Sequence, residues 1–281
     1  MKKYIASQMI LLAGLSLAVP ARATGFVTLP ARGLAVSDGR SAYAICNITG
    51  QFGSDPGGSI PPTPAANNTC AIFRDSDKAP PLAGYALQDA VIRDITLSHA
   101  QTFDSPVVIG KVTDQVWRKG ARCIYAAKIR LNNVDYDLRS PGPQYFEIND
   151  FVRGGFRKRG PVSIAYHFSR SLQASDEVLY RAGLTDVSVV NQPGDPAQPL
   201  IDIAPLDTQW VTFTTDLNYF DPDGSSVRDS SWFFVQSRCT AAKPVAVVNA
   251  LRFRQTGQED QPAIEVSIPG FAPANASLVP R

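Results

Sequence analysis

Alternation of apolar and polar residues, sustained from about Val91 onward, is the feature that most restricts how this chain can fold. In "WVTFTTDLN" the residues Val211, Phe213 and Leu217 alternate with threonine, aspartate and asparagine. A period of two sends successive side chains to opposite faces of a strand, so one face meets a core and the other meets water. Helical periodicity is nearly absent, and the segment 171–183, "SLQASDEVLYRAG", predicts one short helix.

Nine segments of this kind follow one another, and turn residues separate most of them. They are VIRDITLS, VVIGKVTDQVW, CIYAAKIRL, VSIAYHF, VSVV, WVTFTTDLNYF, SWFFVQS, VAVVNALRFR and AIEVSI. Their β-branched and aromatic residues favour strands. Many short strands without helices between them predict an all-β protein, an antiparallel β-sandwich or a sandwich-like barrel.

The N-terminus has the order of a bacterial secretory signal peptide. Lys2 and Lys3 precede an apolar run, which ends at the small-residue motif Ala21-Arg22-Ala23. We therefore expect residues 1–23 to be removed and the mature protein to be periplasmic or secreted. No later segment of the sequence is apolar enough to predict a transmembrane helix.

Three regions are expected after the leader. Residues 24–82 are rich in Gly, Pro, Asn and Ala and predict a loop-rich N-terminal region, and residues 83–270 predict the β-sandwich domain. Residues 271–281 form a C-terminal tail, and its end, "SLVPR", is typical of the remnant of an engineered cleavage site.

The chain has four cysteines, which in an exported protein predict two disulfide bonds with three possible pairings. We predict that neighbours along the chain pair, Cys46 with Cys70 and Cys123 with Cys239. The second bond would join two strand ends across a long loop, which in the loop-entropy model stabilises by about 4–5 kcal/mol. A thiolate metal site is disfavoured because no CxxC occurs and neither histidine lies near a cysteine.

Overall charge identifies no partner. The chain carries 27 Lys and Arg against 25 Asp and Glu, and removal of the leader leaves 24 against 25. A nearly neutral protein has no general electrostatic reason to bind nucleic acid. We expect no nucleic-acid partner, and a ligand or surface partner that the sequence does not identify.

The acidic stretch 220–234, "FDPDGSSVRDSSWFF", allows two interpretations. Pro and Gly beside aspartates are turn chemistry, so we predict that this stretch connects a β-hairpin with strands at about 210–220 and 231–238. The alternative is a calcium site, since calcium takes six to eight oxygen ligands. Its candidate ligands are Asp216, Asn218, Asp221, Asp223 and Asp229. We favour the turn, and therefore no cofactor.

The basic stretch 151–161, "FVRGGFRKRGP", is the second candidate site. Arg153, Arg157 and Arg159 could bind a sulfate, a phosphate or an acidic sugar. The plainer interpretation is a solvated hairpin loop that bends at the two glycines. Aromatic residues, above all Trp117 and Trp210, could stack against a sugar or an apolar ligand, although such residues more often fill a core.

No catalytic motif identifies a reaction, since GxSxG, HExxH, SxxK and GxGxxG are all missing from the sequence. We therefore favour an exported, non-enzymatic binding, adhesion or surface-associated protein, with a glycan or small molecule as ligand. One alternative is a glycan-acting hydrolase. Its carboxylate pair would come from Glu147, Asp150, Asp176 and Glu177. Another is a structural subunit of a surface assembly, in which "AIEVSI" completes a neighbour's sheet.

Overall fold

The computed structural model describes residues 25–36, 39–46, 70–167, 176–177, 179–187, 204–220, 227–239, 244–256, 261–273 and 278. The predicted signal peptide, residues 1–23, and the predicted cleavage-site remnant at the C-terminus lie outside these ranges, apart from the single residue 278, and both stay predictions. No helix in the described ranges is long and apolar enough to cross a bilayer.

Strands account for nearly all of the regular structure, with one 3₁₀ turn at Ala100–Thr102. In chain order the strands are β1 (Val27–Leu29), β2 (Leu34–Val36), β3 (Gly39–Ser41), β4 (Tyr43–Ile45), β5 (Ala71–Ile72), β6 (Ala86–Leu97), β7 (Val107–Lys119), β8 (Arg122–Leu131), β9 (Ile148–Gly154), β10 (Val162–His167), β11 (Asp176–Glu177), β12 (Arg181–Gly183), β13 (Trp210–Leu217), β14 (Asp229–Ser230), β15 (Trp232–Arg238), β16 (Val245–Thr256) and β17 (Ala263–Ala272).

These strands form two main sheets, which we name the large sheet and the small sheet. In the large sheet β6, β7, β8, β15 and β10 are successive antiparallel neighbours. Strands β1 and β5 both pair with the edge of β10 that faces away from β15. Strand β14 pairs with β8, and β11 pairs with β14. The small sheet is antiparallel in the order β17, β16, β9, β13, β12, β4. The predicted all-β class is confirmed, and β2 and β3 form a separate hairpin.

A group of phenylalanines marks the centre of the core between the sheets. Phe151 and Phe213 come from the small sheet and stack with Phe233 of the large sheet, at ring-centroid distances of 5.1–6.0 Å. All three are at most 1% exposed. Aromatic pairs at this spacing add to the stability that their burial provides.

Both predicted disulfide bonds are confirmed. Cys46 bonds to Cys70, and Cys123 bonds to Cys239 at the ends of β8 and β15. The strands β1, β4 and β5 pair directly into the two main sheets, so residues before 83 contribute to the sandwich itself.

Three local predictions are wrong. The strands on either side of the acidic stretch do not form a hairpin, because β13 lies in the small sheet and β15 in the large one. The stretch 151–161 is not a hairpin loop either: its first four residues belong to β9, a buried central strand, and the rest crosses to β10 in the other sheet. The segment 171–183 was expected to form a short helix, but its described residues include the two strands β11 and β12. The segment "VSVV" lies outside the described residues from 188 onward.

Candidate anion-binding surface

The connection from β9 to β10, residues 155–161, is held at one end of the sandwich by a buried aromatic ring. Phe156 is 1% exposed, and its ring meets that of Tyr125 edge to face at 5.9 Å. The backbone N–H groups of Gly155 and Phe156 both donate to the carbonyl of Gln209. With Phe156 turned inward, the following Arg157 and Lys158 are exposed to solvent.

The ends of three neighbouring strands of the large sheet add further basic residues. Arg122 at the start of β8 lies directly opposite Lys119 at the end of β7, and it also lies opposite Arg238 at the end of β15. All three side chains are exposed. Directly paired residues of antiparallel strands share a face. A row of three like charges therefore crosses this end of the sheet.

The connection and the row are joined through the main chain, since the N–H of Arg238 donates to the carbonyl of Arg159 at 3.1 Å. Burial raises the pKa of Tyr125, and the positive charges of Arg153, Arg159 and Arg118 oppose that rise, which places these arginines near the Tyr125 hydroxyl. We name the whole cluster the basic surface. It consists of Arg118, Lys119, Arg122, Arg157, Lys158, Arg159 and Arg238.

Several contacts of the basic surface go to groups without a net charge. Arg157 forms an ion pair with Asp207 at 3.5 Å, and its side chain is 62% exposed. Arg122 donates to the amide oxygen of Gln236, and Lys119 donates to the carbonyl of Ala83, neither of which carries a net charge. Within the described residues, no carboxylate comes within ion-pair distance of Lys119, Arg122, Lys158 or Arg238.

Arg153 has a different position from the other arginines of its motif. It is 1% exposed and lies between the two sheets, where its guanidinium bonds Asp114 at 2.9 Å and the carbonyls of Phe271 and Ala126. Asp114 is fully buried and also accepts from the N–H of Phe271. A buried, fully bonded pair of this kind ties strands together, so the ligand-binding prediction for this motif now depends on Arg157 and Arg159.

Both tryptophans predicted for stacking are buried in the structure. Trp117 is 5% exposed, inside a small apolar cluster on the outer face of the large sheet. Trp210 is also 5% exposed and lies between Gly154, where a Cβ would overlap its ring, and the guanidinium of Arg252 at 3.8 Å. Neither ring is open to a ligand. At the opposite end the half-buried rings of Tyr145 and Tyr219 meet at 5.2 Å, and Phe220 beside them is 58% exposed.

The candidate calcium ligands divide between described and undescribed residues. Asp221 and Asp223 lie outside the described ranges. Asp229 faces two cations, Arg130 at 3.8 Å and Arg228 at 3.6 Å. Asn218 is buried and Asp216 is half-buried. Among the described residues no three acidic, histidine or cysteine side chains come together as metal ligands.

The carboxylates considered for a hydrolase are also placed. Glu147 is 3% exposed and accepts from the amide of Asn149, while Asp150 is fully buried and accepts from the hydroxyl of Thr214. The side chains of Asp176 and Glu177 are outside what the structure describes. The strand "AIEVSI" pairs with β16 of its own chain as part of β17.

Sequence reasoning missed the Lys119–Arg122–Arg238 row, although a signal for it was present. An arginine directly precedes each cysteine of the second disulfide, in Arg122-Cys123 and in Arg238-Cys239. A disulfide holds the two Cα atoms about 5.6 Å apart, so it also brings the preceding arginines together.

Comparison of the chain with models of known families, with curated proteins and with solved structures finds no match.

Proposed function

We propose that this protein is an exported, non-enzymatic binding protein that holds an acidic polysaccharide on its basic surface. The observation that supports the proposal is the row Lys119–Arg122–Arg238. Like charges directly opposite each other on neighbouring strands destabilise a sheet by up to about 1 kcal/mol per pair. An anionic ligand that bridges the row removes this repulsion, and all three side chains are exposed to solvent, where such a ligand can reach them.

The chemistry of the surface fits carboxylate, sulfate or phosphate groups repeated along a chain. Guanidinium groups bond such anions through two parallel N–H donors, and five of the seven basic residues are arginines. Neighbouring strands lie about 4.8 Å apart, so the row presents charges at regular steps. The two disulfide bonds are typical of proteins outside the cytoplasm, where acidic polysaccharides are abundant polyanions.

Binding to polygalacturonate, to heparin and to neutral dextran tests the proposal, with each titration repeated at several salt concentrations. We expect binding to the two polyanions and none to dextran, with affinity falling as salt screens the charges. Replacing Arg122 and Arg238 together by serine should weaken polyanion binding by about tenfold or more, equivalent to about 1.4 kcal/mol.

A matched control removes the same number of arginines from the opposite end of the large sheet, in Arg130→Ser with Arg228→Ser. Each double variant removes two positive charges, and the control side chains are also solvent-accessible, at 59% and 45% exposure. Affinity should stay within about twofold of the parent protein. Equal losses in both double variants, or binding to dextran as strong as to the polyanions, would overturn the proposal.

The stability of Arg238→Thr gives an independent measurement. Because this change relieves a like-charge pair, we expect it to raise the free energy of unfolding by up to about 1 kcal/mol while it weakens polyanion binding. A variant that loses stability and binding together would indicate a structural role for Arg238 instead.

A further inference from the structure

A groove runs along the segment that follows Cys70, on the outer face of the large sheet. It has a volume of about 550 Å³, within the size range of small-molecule sites. One wall is Ala71–Asp75, the other is Ala79–Ala83, and Gly25 lies at the edge. Most of the lining is apolar, with Pro80, Pro81 and Leu82 on one side.

Arg74 is the buried cation in this lining. Its guanidinium lies over the rings of Trp232 and Phe234, at 5.5 and 5.1 Å, and its side chain is 2% exposed. One nitrogen, Nη1, donates to the carbonyls of Ala79 and Asp77. The other two, Nε and Nη2, make no hydrogen bond, and burial lowers the pKa of Arg74 to about 10.

The surrounding charges leave this cation undercompensated. Asp77 is the facing carboxylate, with its oxygens 3.8 Å from Arg74, 3.5 Å from Lys128 and 3.5 Å from His167. Two cations thus share one carboxylate. Trp232 Nε1 also faces Asp77 and makes no hydrogen bond of normal geometry. Asp75 lines the groove as well, but it is exposed, so water screens its charge more than that of buried Arg74.

We propose that the groove binds a small organic carboxylate, whose apolar part contacts Pro80, Pro81 and Leu82 and whose carboxylate faces Arg74. Buried donors without acceptors are costly, so a ligand that supplies two oxygens to Nε and Nη2 gains more there than at a solvated arginine. The turn above the guanidinium is a surface turn, with Ser76 and Lys78 exposed, so an entering carboxylate does not have to cross the core.

Two-dimensional NMR of the tryptophan indole N–H groups tests this site in the intact protein. The chain has three tryptophans: Trp232 and Trp117 share the apolar cluster on the outer face of the large sheet, and Trp210 lies apart from them on the small sheet. Phenylacetate serves as the probe and phenylacetamide as its neutral match. We expect phenylacetate to shift the Trp232 signal in a saturable way, to leave Trp210 unchanged, and to bind at least about fivefold more tightly than the amide.

Variants separate ligand binding from a purely structural role of Arg74. Arg74→Met should weaken phenylacetate binding by about tenfold or more. Because this change also removes the bonds to Ala79 and Asp77, Ala83→Glu provides a second variant, with a bulky negative charge at an exposed lining position. It should weaken binding similarly while the thermal midpoint stays unchanged.

Three results would overturn the proposal: no shift of Trp232, equal shifts of all three indole signals, or equal affinity for acid and amide. The Arg122→Ser, Arg238→Ser variant should bind phenylacetate as the parent protein does. Loss of polysaccharide binding in this variant therefore does not contradict the groove proposal, and each of the two proposals can be overturned separately.

Discussion

Each main sheet carries a tryptophan on its outer face with an arginine laid over it, and the two arginines differ in how their charge is compensated. Arg252 lies 3.8 Å above Trp210 on the small sheet, and Arg74 lies 5.5 Å above Trp232 on the large sheet. Both arginines are almost completely buried. The same residue pair therefore occurs in two electrostatic settings within one molecule.

On the small sheet the charges balance. Arg252 and Arg254 both bond Asp186, and Arg254 also bonds Glu265 at 2.6 Å. Burial alone would lower the pKa of Arg254, but the charges of Glu265 and Asp186 raise it above its ordinary value. Two arginines and two carboxylates form one network, in which Arg252 Nε lies 3.6 Å from Glu265 without a hydrogen bond, and a network of this kind holds strands together.

On the large sheet Asp77 is shared between two cations, and Arg74 directs its best hydrogen bonds to main-chain carbonyls. The pKa of Arg74 is lowered there, opposite in direction to that of Arg254. The two arginines therefore differ in their carboxylates: Arg252 bonds both oxygens of Asp186, whereas Arg74 forms no hydrogen bond to a carboxylate and two of its donors lie without acceptors at a groove.

Asp186→Ala should give the largest effect on this comparison. It removes the carboxylate bonded by both Arg252 and Arg254 and leaves these two buried cations with their ion pairs to Glu265, which should cost about 3–5 kcal/mol of unfolding free energy in urea. The control is Asp77→Ala on the other sheet, with an expected cost of less than half as much, because the Asp77 side chain is 42% exposed. Equal costs would contradict the contrast between the two settings.

The losses of unfolding free energy in Arg252→Met and Arg74→Met should differ in the same direction, with the larger loss on the small sheet, but by a smaller amount. We expect Arg252→Met to cost about 2–3 kcal/mol, since it removes a donor that bonds both carboxylate oxygens of Asp186 in the interior. Arg74→Met should cost about 1 kcal/mol, because Asp77 keeps Lys128 and His167 and the apolar side chain still covers the two rings. Thermal or urea unfolding of the two variants side by side measures this, and a larger loss for Arg74→Met would reverse the interpretation.

The smallest expected effect is in the pH dependence of stability at Asp77. The hydrogen bond from His167, which is the largest cause, and the charge of Lys128 hold the pKa of Asp77 below its ordinary value, although burial opposes this. A depressed pKa in the folded state stabilises the fold above the unfolded-state pKa of about 4, and this contribution is lost as the pH falls through the folded-state pKa.

The difference in unfolding free energy between the parent protein and Asp77→Asn should therefore be constant above about pH 5 and shrink progressively below about pH 4. Its size should be about 1 kcal/mol or less, because solvent screens this partly exposed carboxylate. Urea unfolding between pH 2 and 7 measures it. A difference that grows as the pH falls would show that Asp77 is destabilising in the folded state.

The candidate sites show how far residue types predict location. Arg153 and Arg157 are four residues apart in one basic stretch, yet one bonds Asp114 between the sheets and the other is solvated. The stretch changes from a strand to a connection after Gly154, and this change turns the arginines to different environments. No sequence pattern marks the Arg74 site. The free-energy cost of burying this arginine depends on the rings of Trp232 and Phe234 and on the shared carboxylate of Asp77.

The sequence by itself determined the strands with clear alternation and the all-β class, and it limited the cysteines to three possible pairings, of which the tertiary structure has the pairing of chain neighbours. Period-two patterning and the few possible pairings are local or combinatorial properties, which need no knowledge of neighbours. The tertiary structure decided which sheet each strand joins. For this reason β13 and β15 do not form the expected hairpin, although β16 and β17 do pair as chain neighbours.

The tertiary structure alone also decided which polar residues are buried. The central strand β9, "INDFVRG", has no apolar alternation, since its polar residues find partners on three other strands. Hydrogen bonds and ion pairs between distant residues make such burial possible, and their partners are separated by 39 to 107 residues along the chain. No local pattern encodes that distance, and the buried Arg252 of the small sheet also depends on a distant partner, since Asp186 lies 66 residues away along the chain.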